Sequence, residues 1–204
     1  HLSIRRQRQM CIRDRVYAYE MKGEWYDVGT PELYLESMMR IMDSGFMNIF
    51  FGEPTYEAGG SKLWILGQSL ASMRRKEEIL RKVQEGRIKI DGNVLIGRHC
   101  QIGDDVIIGD AYIDNYCFIG DGVTIERSAL HDRVYVGEGA YIQDSIIARH
   151  VKILSSRIEP TVVLGVSVVG DNSVIEKGSV LTNAKIDPHS HVSREAILAK
   201  RETA

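Results

Sequence analysis

From Ile90 onward an aliphatic residue recurs every five or six positions: Ile90, Ile96, Ile102, Ile108, Ile113, Ile119, Ile125, Leu130, Val136, Ile142, Ile147, Ile153, Ile158, Leu164, Val169, Ile175, Leu181 and Ile186. Two positions before each member, from Ile96 on, stands a small residue or Val, beginning with Val94 and Cys100 and ending with Ser179 and Ala184. The following residue is often Gly, as at Gly97, Gly103, Gly120, Gly137 and Gly170. This pattern suits a triangular coil. The aliphatic side chain fills the interior, the small one fits beside it near a corner, and Gly, Asp and Asn supply the turns. Coils stack at a strand spacing of about 4.8 Å, so each buries its neighbour's apolar interior. The five-residue steps at Ile113, Leu130 and Ile147 are 17 residues apart and therefore fall on one edge of the prism. Residues 88–191 are predicted to form a parallel β-helix of five to six coils. The nearly unbroken steps leave no room for an extruded loop.

Upstream, Val16 to Met21 alternates as a strand does. Thr30 and Pro31 predict a helix start: a hydroxyl cap, Pro at the first position, then Glu32 near the positive helix end. Leu33, Leu35, Met38, Met39 and Met42 give that helix an apolar face. Phe46 to Phe51 is a short apolar run that reads as a strand or a packing contact, and Gly52 to Gly60 reads as a loop. A second helix is predicted from a cap at Ser72 to Glu85, stopped by Gly86, with Ile79, Leu80 and Val83 facing the open end of the coil. Residues 46–87 are thus a linker and helical cap, and 192–204 a tail that forms a short terminal helix.

Two resemblances follow from these residues. The repeat resembles the [LIV]-G-x-x-[STAV]-x hexapeptide of left-handed parallel β-helices, and the left hand is what that resemblance implies. The string Gly23-Glu24-Trp25-Tyr26-Asp27-Val28-Gly29-Thr30-Pro31, with Tyr34-Leu35, resembles the G-x-W-x-D-x-G-T-P-x-x-Y-L motif that closes the catalytic domain of sugar-nucleotide pyrophosphorylases, the NDP-sugar synthases that include mannose-1-phosphate guanylyltransferase-like proteins. Many members carry a left-handed β-helix after it. The fold class so implied is mainly β, with residues 16–45 as a small α+β remnant of a nucleotidyltransferase domain. The resemblance makes Asp27 a Mg²⁺ ligand and Gly23, Trp25, Gly29, Thr30 and Pro31 structural members of the motif. It implies an NTP and a sugar 1-phosphate as substrates and a homo-oligomer assembled through the β-helix. The Gly-rich G-x-G-x-R-L loop and the second metal-binding Asp of that family have no counterpart here. The chain is therefore expected to be a C-terminal fragment, inactive alone, whose Trp25 lacks its sheet partners and is exposed.

Composition changes this picture little. The chain of 204 residues is 44% hydrophobic and 26% charged, ordinary for a globular protein. A net charge of −2 points to no nucleic-acid partner, and no apolar run is long enough to span a membrane. Five Arg against one acid give residues 1–15 a charge of +4, which leaves −6 on the remainder. An organellar transit peptide would look like this. The string also resembles translated adapter sequence, and it is expected to be non-native and to take no part in the fold. Cys11, Cys100 and Cys117 show no metal or disulfide spacing, which fits a reducing cytoplasmic setting. Cys100 and Cys117 are expected to be buried structural thiols.

Two further functions compete with the nucleotidyltransferase. Six histidines raise a hexapeptide-repeat acyltransferase with a His base and acyl-CoA as partner. His99, His131 and His150 fall at corners, where they read as solvated surface residues, and His189 and His191 as end-cap residues. The missing loop also counts against that function, since such acyltransferases often extrude one. The third is a non-catalytic oligomerisation module, because a flat strand-rich face suits pairing with a copy of itself.

Overall fold

The structure, a computed structural model, describes residues 19–20, 22–23 and 25–199. Its body is a left-handed parallel β-helix of about seven turns. The hand is the reverse of the one that twisted strands impose on ordinary parallel crossovers. Most rungs here are only two or three residues long, too short to accumulate the twist behind that rule.

Before the prism come α1 (Pro31–Asp43), α2 (Phe46–Phe51), a hairpin of β1 (Tyr56–Ala58) and β2 (Ser61–Ile65), and α3 (Leu70–Gln84). The prism then begins with β3 (Ile88–Ile96), β4 (Gln101–Ile102), β5 (Val106–Ile113) and β6 (Phe118–Ile119). Face one stacks β2, the ends of β3 and β5, β8 (Ala129–Leu130), β11 (Ser145–Ile147), β14 (Ser167–Val169) and β17 (Lys185–Ile186). Face two stacks β4, β6, β9 (Tyr135–Val136), β12 (Lys152–Ile153), β15 (Val174–Ile175) and β18 (His191–Val192). Face three takes the beginnings of β3 and β5, then β7 (Thr124–Glu126), β10 (Tyr141–Gln143), β13 (Val162–Leu164), β16 (Val180–Thr182) and β19 (Ile197–Ala199). The coil count exceeds five to six because β2 adds a rung at one end and β19 one at the other. All described rung pairs along the prism are parallel.

The aliphatic column is buried as the periodicity predicts from Ile96 through Ile153 and from Val169 through Leu181. The small positions are filled for a chemical reason as well as a steric one. Ser128 Oγ donates to Glu126 O at 2.7 Å, Ser145 Oγ to Gln143 O at 2.7 Å, and Ser179 Oγ to Glu176 O at 2.7 Å. A corner carbonyl thus satisfies each hydroxyl, and no buried side-chain polar atom among the described residues lacks a partner. Cys100 and Cys117 occupy the same kind of slot and donate to Asp114 O and His131 O at 2.9 and 3.1 Å. The neighbouring Cys100 thiol, then burial, pushes the Cys117 thiol far above its ordinary value, and both cysteines are buried packing residues as expected.

The glycines after the aliphatic residues serve close approach rather than turn conformation. A methyl group at Gly97 would lie 2.6 Å from Asn115 N, at Gly137 2.6 Å from Ser155 N, and at Gly170 2.5 Å from Pro188 N. The left-handed turn conformation instead falls to His99, Tyr116, Arg133, His150, Asn172 and His189, with φ between 58° and 62°. All but His99 are held there by inter-coil bonding, as where Tyr116 N–H donates to Arg98 O and Arg133 N–H to Asn115 O at 2.9 Å.

One coil departs from the periodic reading. Ile153 pairs with Ile175, 22 positions on, whereas Val136 and Ile153 are 17 apart. Four of the five extra residues form a loop at 154–160 that leaves the prism at the corner between faces two and three, and the fifth falls at the next corner, between Val163 and Val169. Ile158 stands at its tip, 93% exposed, instead of filling the interior. Thr161 and Val163 take the inward slots predicted for Val162 and Leu164. The misreading has a simple cause: Ile158 and Leu164 keep five- and six-residue steps across the insertion and so mimic an unbroken repeat. Thr161 Oγ1 donates to Leu154 O at 2.6 Å and Thr161 N–H to Ser155 Oγ at 3.0 Å, closing the base of the loop. The loop that the sequence reading excluded is therefore present.

The ends differ. Ile79 and Val83 of α3 join Leu63, Ile65 and Ile88 over the first coil, as a cap should. The helix begins three residues earlier than predicted because Ser69, not Ser72, is the N-cap, accepting from Ser72 N–H at 3.2 Å. Phe46–Phe51 is helical, not a strand. At the far end Ile197–Ala199 continues face three as a strand where a terminal helix was expected, and Ile197 is 79% exposed. Most of the Val16–Met21 strand, all of residues 1–15 including Cys11, and residues 200–204 lie outside the described residues.

The insertion is testable by unfolding in denaturant. Ile125→Ala should cost about 2–5 kcal/mol. Ile158→Ala should change stability by no more than about 0.5 kcal/mol, whereas an interior Ile158 would cost as much as Ile125.

Candidate functional site

The motif residues lead into α1. Thr30 is extended (φ −133°, ψ 159°) and its Oγ1 accepts from Leu33 N–H at 3.3 Å, with Pro31 at the first turn, as predicted. Trp25 is 74% exposed and Asp27 is also exposed. Among the described residues no group of three or more His, Cys, Asp or Glu is placed to hold a metal ion. Asp27 therefore belongs to no such group among the described residues. It suits one position in a Mg²⁺ shell, and the described residues do not complete that shell.

What the structure adds is where α1 goes. Leu35 and Met42 are buried against face one, Met38 and Met39 are half-buried, and Leu33 points outward. Met42, Met47 of α2, Trp64 of β2 and Leu95 of β3 form a second small core, and Trp64 Nε1–H donates to Gly52 O at 3.0 Å. Asn93 Nδ2–H donates to Asp43 Oδ1 at 2.6 Å at the end of the helix. The motif helix is thus fastened along the side of the prism.

Under α1 lies a cluster that the sequence reading missed. His131 sits at the corner after Leu130, in the column of Gly97, Asp114, Ala148 and Gly170. Instead of facing solvent it is half-buried. Tyr34 Oη, from the motif's own Tyr-Leu pair, lies 3.5 Å from His131 Nε2. The Tyr112 ring meets the imidazole edge-on, centroids 6.4 Å apart at 86°. Burial pulls the His131 pKa below its ordinary value. Asp114 and Asp171 oppose that shift and Arg149 adds to it. Arg149 and Asp171 pair with each other at 3.0 Å. Burial, then the Asp114 charge, raises both Tyr34 and Tyr112, so the phenols stay protonated. The arrangement offers a neutral imidazole able to accept a proton, with a phenol standing at its Nε2. The only hint in the sequence is that His131 shares a corner column with small or acidic residues, leaving room for a helix to lie over it.

The other histidines do less. His99 Nε2 is 3.1 Å from Ser72 Oγ, and its ring stacks on Tyr116 at 5.0 Å and 15°, which anchors α3. His191 lies 3.2 Å from Glu176. His150 is an exposed corner residue, as predicted, and His189, read as an end-cap residue, is an exposed corner residue too.

Residues 79–169 match the family model described as the EIF2B subunit epsilon LbH domain. No curated protein matches the chain. Among solved structures, a candidate acetyltransferase from Bacillus cereus is similar at 21% identity over 54% of this chain and 75% of that one, with a TM-score of 0.29. PerB from Caulobacter crescentus, in complex with CoA and GDP-perosamine, is similar at 15% identity over 80% of this chain and 70% of that one, TM-score 0.22. A histidine-to-alanine mutant of GDP-perosamine N-acetyl transferase from the same organism gives 14% identity over 76% and 70%, TM-score 0.19. Similarities this distant carry no argument about activity. Among the described residues no helix is long and apolar enough to cross a membrane.

The His131 environment predicts a pH dependence. As pH falls, the unfolded chain takes up the proton near the ordinary value of about 6.5, before folded His131 does. Stability should therefore decline through that window and level off once the folded imidazole also protonates. NMR titration of the His131 ring should show a midpoint below about 6.5, and His131→Gln should flatten the stability slope there. A midpoint at or above the ordinary value would place the ring in solvent.

Proposed function

We propose that this chain is the prism and adjoining motif of a sugar-1-phosphate nucleotidyltransferase, which joins an NTP and a sugar 1-phosphate into an NDP-sugar and releases pyrophosphate. The observation that carries the reading is the docking of α1. The helix opened by the Asp27–Pro31 motif is clamped to face one through Leu35, Met42, Tyr34 and Asp43. The prism then serves as the rigid support that fixes the last element of a catalytic domain. The match of residues 79–169 to the EIF2B epsilon β-helix supports this association. In the reaction a phosphate oxygen of the sugar 1-phosphate attacks the α-phosphorus, and the bond to the β-phosphate breaks. Asp27 is a metal ligand in this reading. Mg²⁺ would neutralise the crowded phosphates, and the Asp27-Val28-Gly29 turn places its carboxylate without side-chain crowding. Cytoplasmic residence and homo-oligomerisation through the prism belong to the same proposal.

The second reading, an acyltransferase, is favoured by two specific observations. The 154–160 loop leaves the prism, and His131 is a neutral imidazole in a half-buried setting. Against it, Tyr34 occupies the approach to His131 Nε2.

The two separate in one assay on the full-length protein. Pyrophosphate release should require both an NTP and a sugar 1-phosphate, and Asp27→Asn should lower kcat by about a hundredfold or more. Thiol release from acetyl-CoA that is lost in His131→Ala, with no pyrophosphate formed, would establish the acyltransferase instead.

A further inference from the structure

A cavity of about 300 Å³ lies between α3 and face two, and neither reading above uses it. Its size is at the low end of the range for small-molecule sites, about 300–1,000 Å³. Its floor is aromatic. Phe118 and Tyr135 occupy neighbouring outward positions on face two, and their rings stack at 5.0 Å, only 5° from parallel. They are 40% and 39% exposed. Such a pair on adjacent strands stabilises a sheet by itself. This one ends at an opening, however. Tyr135 covers one face of the Phe118 ring, and no ring among the described residues covers the other. The next rung places Gln101 above Phe118, an exposed residue with a flat, movable amide. Gly103 and Gly120 also line it.

The charges around the opening select the ligand. The two cations over the cavity are already committed. Arg75 pairs with Glu78 at 2.8 Å, and Lys82 reaches Asp104 at 2.9 Å and Ile102 O at 2.7 Å. Glu138 is exposed at the rim, and Asp121 has given one oxygen to Asp104 N–H at 2.8 Å. Carboxylate oxygens therefore remain free at the opening, while both cations are already paired with acids. A phosphate would meet net negative charge here, whereas an exocyclic amino group would meet carboxylates and the Gln101 amide.

The geometry points to a stacking site for an amino-bearing nucleobase. The base continues the Tyr135–Phe118 column by one more layer, displacing the Gln101 side chain, and directs its amino group to Asp121, whose carboxylate reaches up to that coil at Asp104 N–H. The site reads the ring and not the phosphates, and it stands whether or not the chain belongs to a nucleotidyltransferase.

Adenosine, cytidine, AMP and uridine, titrated separately into the protein and followed by the Phe118 and Tyr135 ring resonances, test the site. Adenosine and cytidine should shift both rings, uridine should bind several-fold more weakly, and AMP should bind no tighter than adenosine. Phe118→Leu should weaken adenosine about tenfold, since each stacked base is worth roughly that much or more. Asp121→Asn, which keeps an oxygen for Asp104 N–H, should weaken adenosine and cytidine but not uridine. Unmoved ring resonances at millimolar adenosine would overturn the proposal. So would equal binding of uridine and adenosine, or AMP binding tighter than adenosine and losing that advantage in salt.

Discussion

The structure depends on one constraint: each coil's backbone must lie a single strand spacing from the next, about 4.8 Å, all the way round the triangle. Parallel strands at that distance place like positions directly over one another, as Ile108 over Ile125 and Ile125 over Ile142. An inward side chain is then covered from above and below by its own counterparts. This is why small errors in size matter at the corners. The coil after Gly137 approaches so closely that even a methyl group would meet Ser155 N at 2.6 Å. Close approach also lets Tyr116 and Arg133 hold a left-handed backbone that their side chains disfavour, because the inter-coil hydrogen bond fixes the corner.

The same stacking governs what the outside can do. Outward positions also form columns, and a column is a ready-made array: Phe118 over Tyr135 on face two, His99 on Tyr116 at the corner. An insertion can be accommodated only where the chain leaves the prism between rungs. The 154–160 loop does so, and Ile153↔Ile175 and Val163↔Leu181 remain in register on either side of it. Where a helix lies on the prism it meets a regular surface, so α1 finds room over the corner column that holds Asp114 and His131. Burial of that histidine is a consequence of helix docking rather than of the repeat.

The distribution of what could be read from the sequence follows from this. Columns repeat, so the inward aliphatic and small positions were legible in one dimension, as were the Thr30 cap and the burial of Cys100 and Cys117. The loop was not, because Ile158 and Leu164 satisfy the repeat's spacing while the chain is away from the prism. Spacing specifies a candidate rung, and only pairing with the neighbouring coil makes it one. Ser69 was passed over for Ser72 because both are serines three apart, and both hydroxyls join the cap, 2.8 Å from each other. The Tyr34–His131 contact spans 97 positions between an aperiodic helix and a periodic corner, and no local pattern encodes it.

This bears on how activity could be carried by such a scaffold. A stack of near-identical coils has no intrinsic cleft, since every rung presents much the same surface as the next. Chemistry has to enter where the regularity is broken, and the described residues show three such places: the helix laid on face one, the cavity under α3, and the extruded loop. At the first, Tyr34 meets His131, and the helix that follows the Gly23–Pro31 motif is joined to the prism through a short, mostly apolar contact. A catalytic domain ending in that joint would have its last carboxylate placed by a body that does not deform. The prism's contribution to catalysis would then be stiffness, supplied by the same backbone spacing that makes the repeat fold.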